Sequence, residues 1–331
     1  MLLIHPNFDR KGKNSYFDRW VAISLPTGVA ALAGYLLQRG KKVKILDEAA
    51  TPINDDILSD LLKKMEHPYI FGISCVTPNI IRGYEIAEML KTKYQDSKVI
   101  MGGIHPTVLP EEALKTGHVD VVVRREGEEV LNLLYEAIKN RRDYTHLKGI
   151  SFINGNKEIV HNPDAPLLKD LREVGPFPYH LFEPNLHKYN LAFTQVTRGC
   201  PYDCIFCSSR SVSGRAYRYL KPEEAVEHVD VVVNKYGVRY IYFQDDNFAV
   251  NKEWTIAVCE RFEKRGYPKY VKFCCSMRGD NATDEILAAM KRAGFVLINY
   301  GIETASERLM KLLNKGETVE DNIRAVKLTK K

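Results

Sequence analysis

Short apolar runs alternate with amphipathic stretches through most of this chain, and they do so in two blocks. In the first block, Leu2-Leu3-Ile4, Val43 to Leu46, Tyr69 to Ile73, Val99 to Met101 and Val119 to Val123 read as strands. Between them, Val29, Leu32, Ala33, Leu36 and Leu37 share one helical face ahead of a Gly40 C-cap, and Ile80, Tyr84, Ala87 and Leu90 form a second stripe. Strands separated by such helices need right-handed crossovers, so residues 1–145 are expected to form an open, doubly wound parallel sheet. Residues 146–190 break the rhythm. Two strands about Gly155-Asn156 predict a hairpin, and Pro163, Pro166, Pro176, Pro178 and Pro184 exclude regular helix, so this stretch reads as a connector. The alternation resumes over residues 191–331, with strands at Leu191 to Val196, Tyr240 to Phe243, Val271 to Cys275 and Val296 to Tyr300. One helix between them places Val226, Val229, Val233 and Tyr236 on one face, with Pro222 near its start and Gly237 at its end. Another has Thr283 and Gly294 as caps. Four βα units in series predict part of a parallel barrel, followed by a last amphipathic stretch at Val319, Ile323 and Val326.

At 331 residues the chain is long enough for two domains. Its 45% hydrophobic and 27% charged content excludes a disordered chain. The net charge of +6 is scattered in pairs such as Lys41-Lys42 and Arg141-Arg142, which read as solvated faces rather than a nucleic-acid surface. No apolar run reaches the ~18 residues of a membrane span, and Met1 to Ile4 meets His5-Pro6 without the pattern of a secretory signal. The expectation is a cytoplasmic protein with no nucleic-acid partner and no membrane span.

Seven cysteines are present, and Cys200, Cys204 and Cys207 crowd into eight residues where the chain leaves the first barrel strand. In a reducing compartment such crowding points to metal or redox chemistry. Three thiolates can ligate three irons of a four-iron four-sulfur cluster and leave the fourth iron open. Zinc is the rival, although it takes a fourth ligand and usually spaces its cysteines in pairs. Cys75, Cys259, Cys274 and Cys275 lie in apolar segments and read as packing residues.

Read as Cys-x3-Cys-x2-Cys with Arg198-Gly199 before it, Pro201 within it and an aromatic residue at Phe206, this loop resembles the signature of the radical S-adenosylmethionine (SAM) superfamily. The resemblance implies a partial (β/α) barrel, a 4Fe-4S cluster on the three cysteines, and SAM chelated to the open iron. Reductive cleavage then releases methionine and a 5′-deoxyadenosyl radical. Polar residues at the C-terminal ends of parallel barrel strands usually carry the chemistry. By the resemblance, Phe206, Asp245, Asp246, Asn247 and Ser276 lie near SAM, Arg278 suits its carboxylate, and Glu303 suits its amino group or ribose. No protein side chain is assigned as a catalytic residue. The Asp-Asp-Asn run departs from the Gly-Gly-Glu of many family members.

The first block resembles the cobalamin-binding domain that precedes the barrel in one subfamily, through Gly102-Gly103-Ile104-His105-Pro106-Thr107 and Arg125-Glu126-Gly127-Glu128. Open parallel sheets bind ligands at the carboxyl ends of their strands. Ser74, Thr77, Gly102, Gly103 and His105 are therefore the expected cobalamin contacts. The Asp-x-His-x-x-Gly loop of cobalamin mutases is absent, so a histidine cobalt ligand is not expected.

The reaction implied is methyl transfer to an unreactive carbon of a small-molecule substrate, with an electron donor such as flavodoxin or ferredoxin. Ring formation or rearrangement is the alternative chemistry, and a non-catalytic iron–sulfur or cobalamin sensor, or an inactive fragment, the alternative class. The partial barrel of the family has six strands, so a chain with four is expected to be incomplete and to leave its fourth strand as an open edge.

Overall fold

The computed structural model describes residues 1–8, 23–183, 185–189 and 192–331. It divides into two compact units, one comprising Met1–Leu168 with Glu173–Asn190 and the other Lys169–Arg172 with Leu191–Lys331.

In the first unit the strands are β1 (Leu2–His5), β2 (Lys44–Asp47), β3 (Ile70–Ser74), β4 (Lys98–Gly102), β5 (Val121–Val123), β6 (Ile150–Ile153) and β7 (Ile159–His161). They form one sheet in the order β2-β1-β3-β4-β5-β6-β7. Pairing among β1 to β5 is parallel throughout, as the crossovers require. The helices are α1 (Thr27–Gln38), α2 (Asp55–Leu62), α3 (Ile80–Lys93), α4 (Ile104–Val108), α5 (Pro110–Lys115) and α6 (Glu128–Lys139). Leu2, Ile4, Phe71, Ile73, Val99 and Met101 are buried beside Ile86, Ala87 and Leu90 in one core. Gly40 has φ 72° just beyond α1, and the Lys41 amide closes back on the Leu36 carbonyl at 3.0 Å, as the sequence reading expects of a glycine C-cap.

Two expectations are corrected here. The hairpin at 150–161 is no connector, since β6 pairs antiparallel with β5 and caps that side of the sheet. The proline-dense stretch, expected as a linker, has its Glu173–Asn190 part packed into the first unit. Tyr179 and Phe182 are buried, and Lys188 Nζ donates to the Ala50 carbonyl at 2.7 Å. A Cβ at Gly34 of α1 would lie 2.9 Å from Val174 O and 3.1 Å from Pro176 O, so the stretch packs directly on that helix. This also shifts the buried face of α1 to Val29, Ala30, Ala33 and Leu36, with Leu32 and Leu37 half-buried. Pro184 lies outside the described residues.

In the second unit, β8 (Ala192–Thr194), β11 (Tyr240–Phe243), β12 (Lys272–Met277) and β13 (Phe295–Tyr300) form a parallel sheet in the order β13-β12-β11-β8. A short antiparallel pair, β9 (Thr197–Arg198) and β10 (Arg218–Tyr219), brackets the cysteine loop and α7 (Ser209–Ser213). The crossover helices are α8 (Pro222–Asp230), which runs into a π-helical turn at Val231–Lys235, α9 (Lys252–Lys264) and α10 (Asp284–Ala293). Thr283 caps α10 by accepting from the Ile286 amide, and Gly294 closes it at φ 97°. Phe243, Phe248, Phe262, Phe273 and Phe295 stack into an aromatic core, with Phe262 and Phe273 ring centroids 4.5 Å apart.

Among the described residues β13 pairs only with β12, and its Val296 and Leu297 are 56% and 50% exposed, so it is the open edge the sequence predicts. The last helices are α11 (Glu307–Leu312) and α12 (Val319–Lys330). The expected apolar stripe on α12 is corrected, because Ile323 and Val326 face outward and Asn322 and Ala325 are the buried positions. A Cβ at Gly279 would lie 3.2 Å from the Asn322 Cα, so the turn after β12 seats against this helix through small groups. No described helix is long and apolar enough to cross a membrane.

Candidate functional site

The loop carrying Cys200, Cys204 and Cys207 is held by its backbone. Gly199 sits at φ 85°, where a Cβ would press on the Ala216 carbonyl. The Cys200 amide donates to Gly214 O at 3.3 Å, Cys207 to Cys204 O at 3.2 Å, and Ile205 to Leu313 O at 3.0 Å. All three thiols are free, with Cys200 and Cys204 half-buried and Cys207 exposed. Burial raises the Cys200 and Cys204 thiols above their ordinary range, and the charge of Arg278 draws Cys204 partly back. Among the described residues no three His, Cys, Asp or Glu side chains are placed to hold a single metal ion. A four-iron cluster takes each thiolate on a different iron, and the three free cysteines of this one loop supply that donor set.

Asp245, Asp246 and Asn247 follow β11 and turn toward this loop. Asp245 is buried, and its Oδ1 accepts from the Val196 amide at 3.1 Å and from the Thr197 amide. Burial pushes its carboxyl up to about 7, against the pull of those two amides. Asp246 Oδ2 accepts from Gly199 N at 3.2 Å, and its side chain stays exposed. Asn247 donates to Asn281 Oδ1 at 2.8 Å, and Asn281 donates to the Tyr202 hydroxyl at 3.1 Å. Ser276 Oγ is 2.6 Å from the Tyr242 hydroxyl. These residues brace the strand and loop that present the cysteines. Asp246 keeps an exposed side chain within reach of a ligand, whereas Asp245 gives Oδ1 to backbone and holds Oδ2 buried without a hydrogen-bond partner. Phe206 is 49% exposed beside the cysteines.

Sequence reasoning missed the charged cluster behind the loop. Arg278 pairs with Asp280 at 2.8 Å and lies 3.5 Å from Glu317, and Lys315 Nζ is 2.9 Å from Glu317 and 3.8 Å from Glu303. Lys315 and Glu317 side chains are 3% and 0% exposed, and neither makes a geometrically aligned hydrogen bond through its charged atoms. Two buried charges so placed are costly unless something completes the site. The sequence carries no signal that singles out Lys315-Gly316-Glu317; the φ of 74° at Gly316 and the burial of Glu317 beside Arg278 are what reveal it. Glu303 has φ 58°, an uncommon conformation for a residue other than glycine, and its half-exposed carboxylate stands at the end of β13.

In the first unit, the carboxyl ends of β1 and β3 diverge at the switch point where β2 and β3 flank β1. Asn79 ties this crevice, donating to Pro6 O at 2.9 Å and accepting from Val76 N at 2.8 Å. Thr77 is exposed, and its Oγ1 is 3.1 Å from His105 Nδ1. His105 itself is buried, with Nε2 3.6 Å from Glu112 Oε2. At the Gly102-Gly103 pair the chain packs closely on its own backbone. At Gly103, φ is 97° and a Cβ would press on Cys75 O and lie 2.9 Å from Cys75 N. At Gly102 it would lie 3.2 Å from Val123 O. Both glycines let neighbouring backbone segments approach closely at the carboxyl edge of the sheet. What the sequence reading overlooked is the exposed apolar residues that follow β3 and β4, with Ile81 on α3 and Ile104, Val108 and Leu109 on and just after α4, 55%, 39%, 52% and 47% exposed. Such a rim suits a broad ligand with an apolar face, as a corrin has.

Comparison with known proteins gives two family matches. The Radical SAM superfamily model matches residues 194–331 and the B12 binding domain model residues 22–134. An uncharacterized methyltransferase, PH0819, of Pyrococcus horikoshii is 31% identical over 92% of this chain and 66% of its own length. An anaerobic magnesium-protoporphyrin IX monomethyl ester cyclase of Cereibacter sphaeroides is 29% identical over 99% of this chain and 54% of its own. The cobalamin-dependent SAM radical enzyme OxsB, solved with aqua-cobalamin and SAM, superposes with a TM-score of 0.83 at 23% identity, over 99% of this chain and 47% of OxsB. At that identity the likeness speaks for the fold. The chain thus spans between about half and two thirds of the length of the curated relatives named here.

Proposed function

The chain belongs to the radical SAM superfamily and carries the B12 binding domain of its cobalamin-dependent branch ahead of the barrel, and from that premise we propose that it methylates an unreactive carbon of a small molecule. The observation that carries this reading is the braced loop of three free thiols at the C-terminal rim of a parallel sheet. When bound, the cluster, SAM and cobalamin supply the electron, the hydrogen-abstracting radical and the methyl group. In this reading Cys200, Cys204 and Cys207 hold the cluster. Phe206 shields it from water, Asp246 and Glu303 offer carboxylate oxygens to the SAM amino group and ribose, and Asp245, Asn247 and Ser276 keep the rim rigid. Ser74, Thr77, the backbone at Gly102-Gly103 and the apolar rim about Ile104 seat cobalamin, while His105 orients Thr77. In this reading a small reductant of the flavodoxin or ferredoxin kind delivers the electron, and an oxygen-sensitive thiolate cluster suits a reducing compartment such as the cytoplasm.

Ring closure is the second reading, supported by the cyclases that match 99% and 100% of this chain at 29% and 27% identity. One experiment separates the two. The reconstituted protein is incubated without oxygen with SAM, hydroxocobalamin, a reductant and a metabolite extract, and products are read by mass. A product heavier by one CH2 supports methyl transfer, and loss of hydrogen without added carbon supports ring closure. SAM left intact overturns both and favours a sensor.

A further inference from the structure

Arg278 is 6% exposed and fixed on several sides. Its Nε and Nη2 donate to the two Asp280 oxygens at 2.9 and 2.8 Å, and its Nη1 donates to the Lys315 carbonyl at 2.7 Å. The guanidinium carbon lies 3.5 Å from the centroid of the Tyr202 ring. Nη1 also points at Cys204, with Sγ at 3.8 Å, within the range of an N–H···S bond, and Nη2 is 3.5 Å from Glu317 Oε2. A guanidinium has five N–H donors in a fixed fork; hydrogen bonds to Asp280, the Lys315 carbonyl and Cys204 take four of them, and the remaining Nη2 N–H lies beside Glu317. No fork is left for the carboxylate of a ligand.

We infer that Arg278 is a positioning residue for the cluster, donating to the Cys204 sulfur and so raising the reduction potential at which the cluster takes its electron. The inference rests on the cluster assignment made under the proposed function. A donor on a ligating sulfur withdraws electron density from it, and a buried cation favours the added electron, since little solvent lies between them to screen it. Asp280 and Tyr202 set the plane of the guanidinium, and the Lys315 carbonyl fixes its distance from the loop. Because Asp280, Glu317 and Glu303 already outnumber Arg278 and Lys315, loss of the Arg278 charge would leave an uncompensated negative field beside Cys204.

The test is a redox titration of the reconstituted full chain, without SAM, followed by the paramagnetic signal of the reduced cluster. It is run on wild type, Arg278→Gln and Arg278→Lys, with iron content and SAM affinity measured alongside. At the wild-type midpoint, the reduced-to-oxidised ratio should fall about tenfold in Arg278→Gln, equivalent to ~59 mV for one electron. Arg278→Lys keeps the charge but cannot satisfy the fork, so it should fall in between, and it decides the matter if the Gln variant loses iron. Unchanged potentials in iron-replete variants overturn the inference, as does a loss of SAM affinity at unchanged potential, which returns Arg278 to the carboxylate. A wild-type chain that takes up no cluster overturns the proposed function itself.

Discussion

At the carboxyl edge of the first sheet the chain closes on itself through backbone, with Gly103 against Cys75, Gly102 against Val123 and Asn79 stitched to Pro6. The corresponding edge of the second sheet is built from charge, with Arg278, Lys315 and Glu317 buried behind the cysteine loop and Glu303 at its side. The difference teaches what each edge can tolerate. A backbone-built edge presents a shape and an apolar rim, so replacing its residues threatens the fold first. A charge-built edge presents a field, so replacing its exposed members threatens the ligand first.

The contrast is broken most completely at the cysteines. Replacing Cys200, Cys204 and Cys207 together by Ala should reduce cluster iron and its absorbance to background while hydroxocobalamin binding persists. A triple variant that still reconstitutes four irons removes the second edge from the argument.

Asp245 gives the next largest effect. Its carboxyl stands at about 7 in the fold against 3.8 as a free side chain, so folding favours the protonated form. Stability is then fully present below the lower value and is lost as pH rises through the upper one, by on the order of 3–4 kcal/mol. Urea unfolding between pH 4 and 8 should show this decline, and Asp245→Asn should flatten it. A variant as pH-sensitive as wild type would remove Asp245 as the source.

Glu303→Gln and Gly103→Ala test the comparison directly. The Gln variant should weaken SAM binding by roughly 1.5–3 kcal/mol, or about ten- to hundredfold, with little change in unfolding. Calorimetric titration showing wild-type affinity would exclude Glu303 from the ligand. Gly103→Ala should instead destabilise the first unit by about 1–3 kcal/mol from its backbone conformation alone, before the contact with Cys75 is counted. If cobalamin affinity fell while unfolding stayed unchanged, the two edges would not differ as described.

The smallest effect is expected on α12. Since Ile323 and Val326 are 41% and 42% exposed, replacing either with Gln should shift stability by less than about 0.5 kcal/mol. A larger loss would show that a surface covers this face in solution.

Much of the architecture was legible in local sequence. The periods of Leu2 to Ile4, Ile70 to Ile73 and Val99 to Met101, the caps at Thr283 and Gly294, and the Cys-x3-Cys-x2-Cys spacing each depend on neighbours a few residues away. Such features are set by backbone geometry that a short segment carries with it. The hairpin at 150–161 was equally legible as a hairpin, but its pairing with β5 was not, because strand partners are chosen across the chain.

Only the tertiary structure decided which polar residues face a ligand and which hold the protein together. Asp245 and Asp246 are adjacent and chemically alike, yet one is sealed against the Val196 and Thr197 amides and the other stands exposed. Arg278 reads in sequence as a partner for the SAM carboxylate, but its donors go to Asp280, Lys315 and Cys204, the last of them 74 positions earlier. Lys315 and Glu317 carry no local signal of burial, yet their side chains are almost fully buried. Sequence carries the charge of each side chain, but burial and partnership arise from contacts between distant segments, and these determine what that charge does.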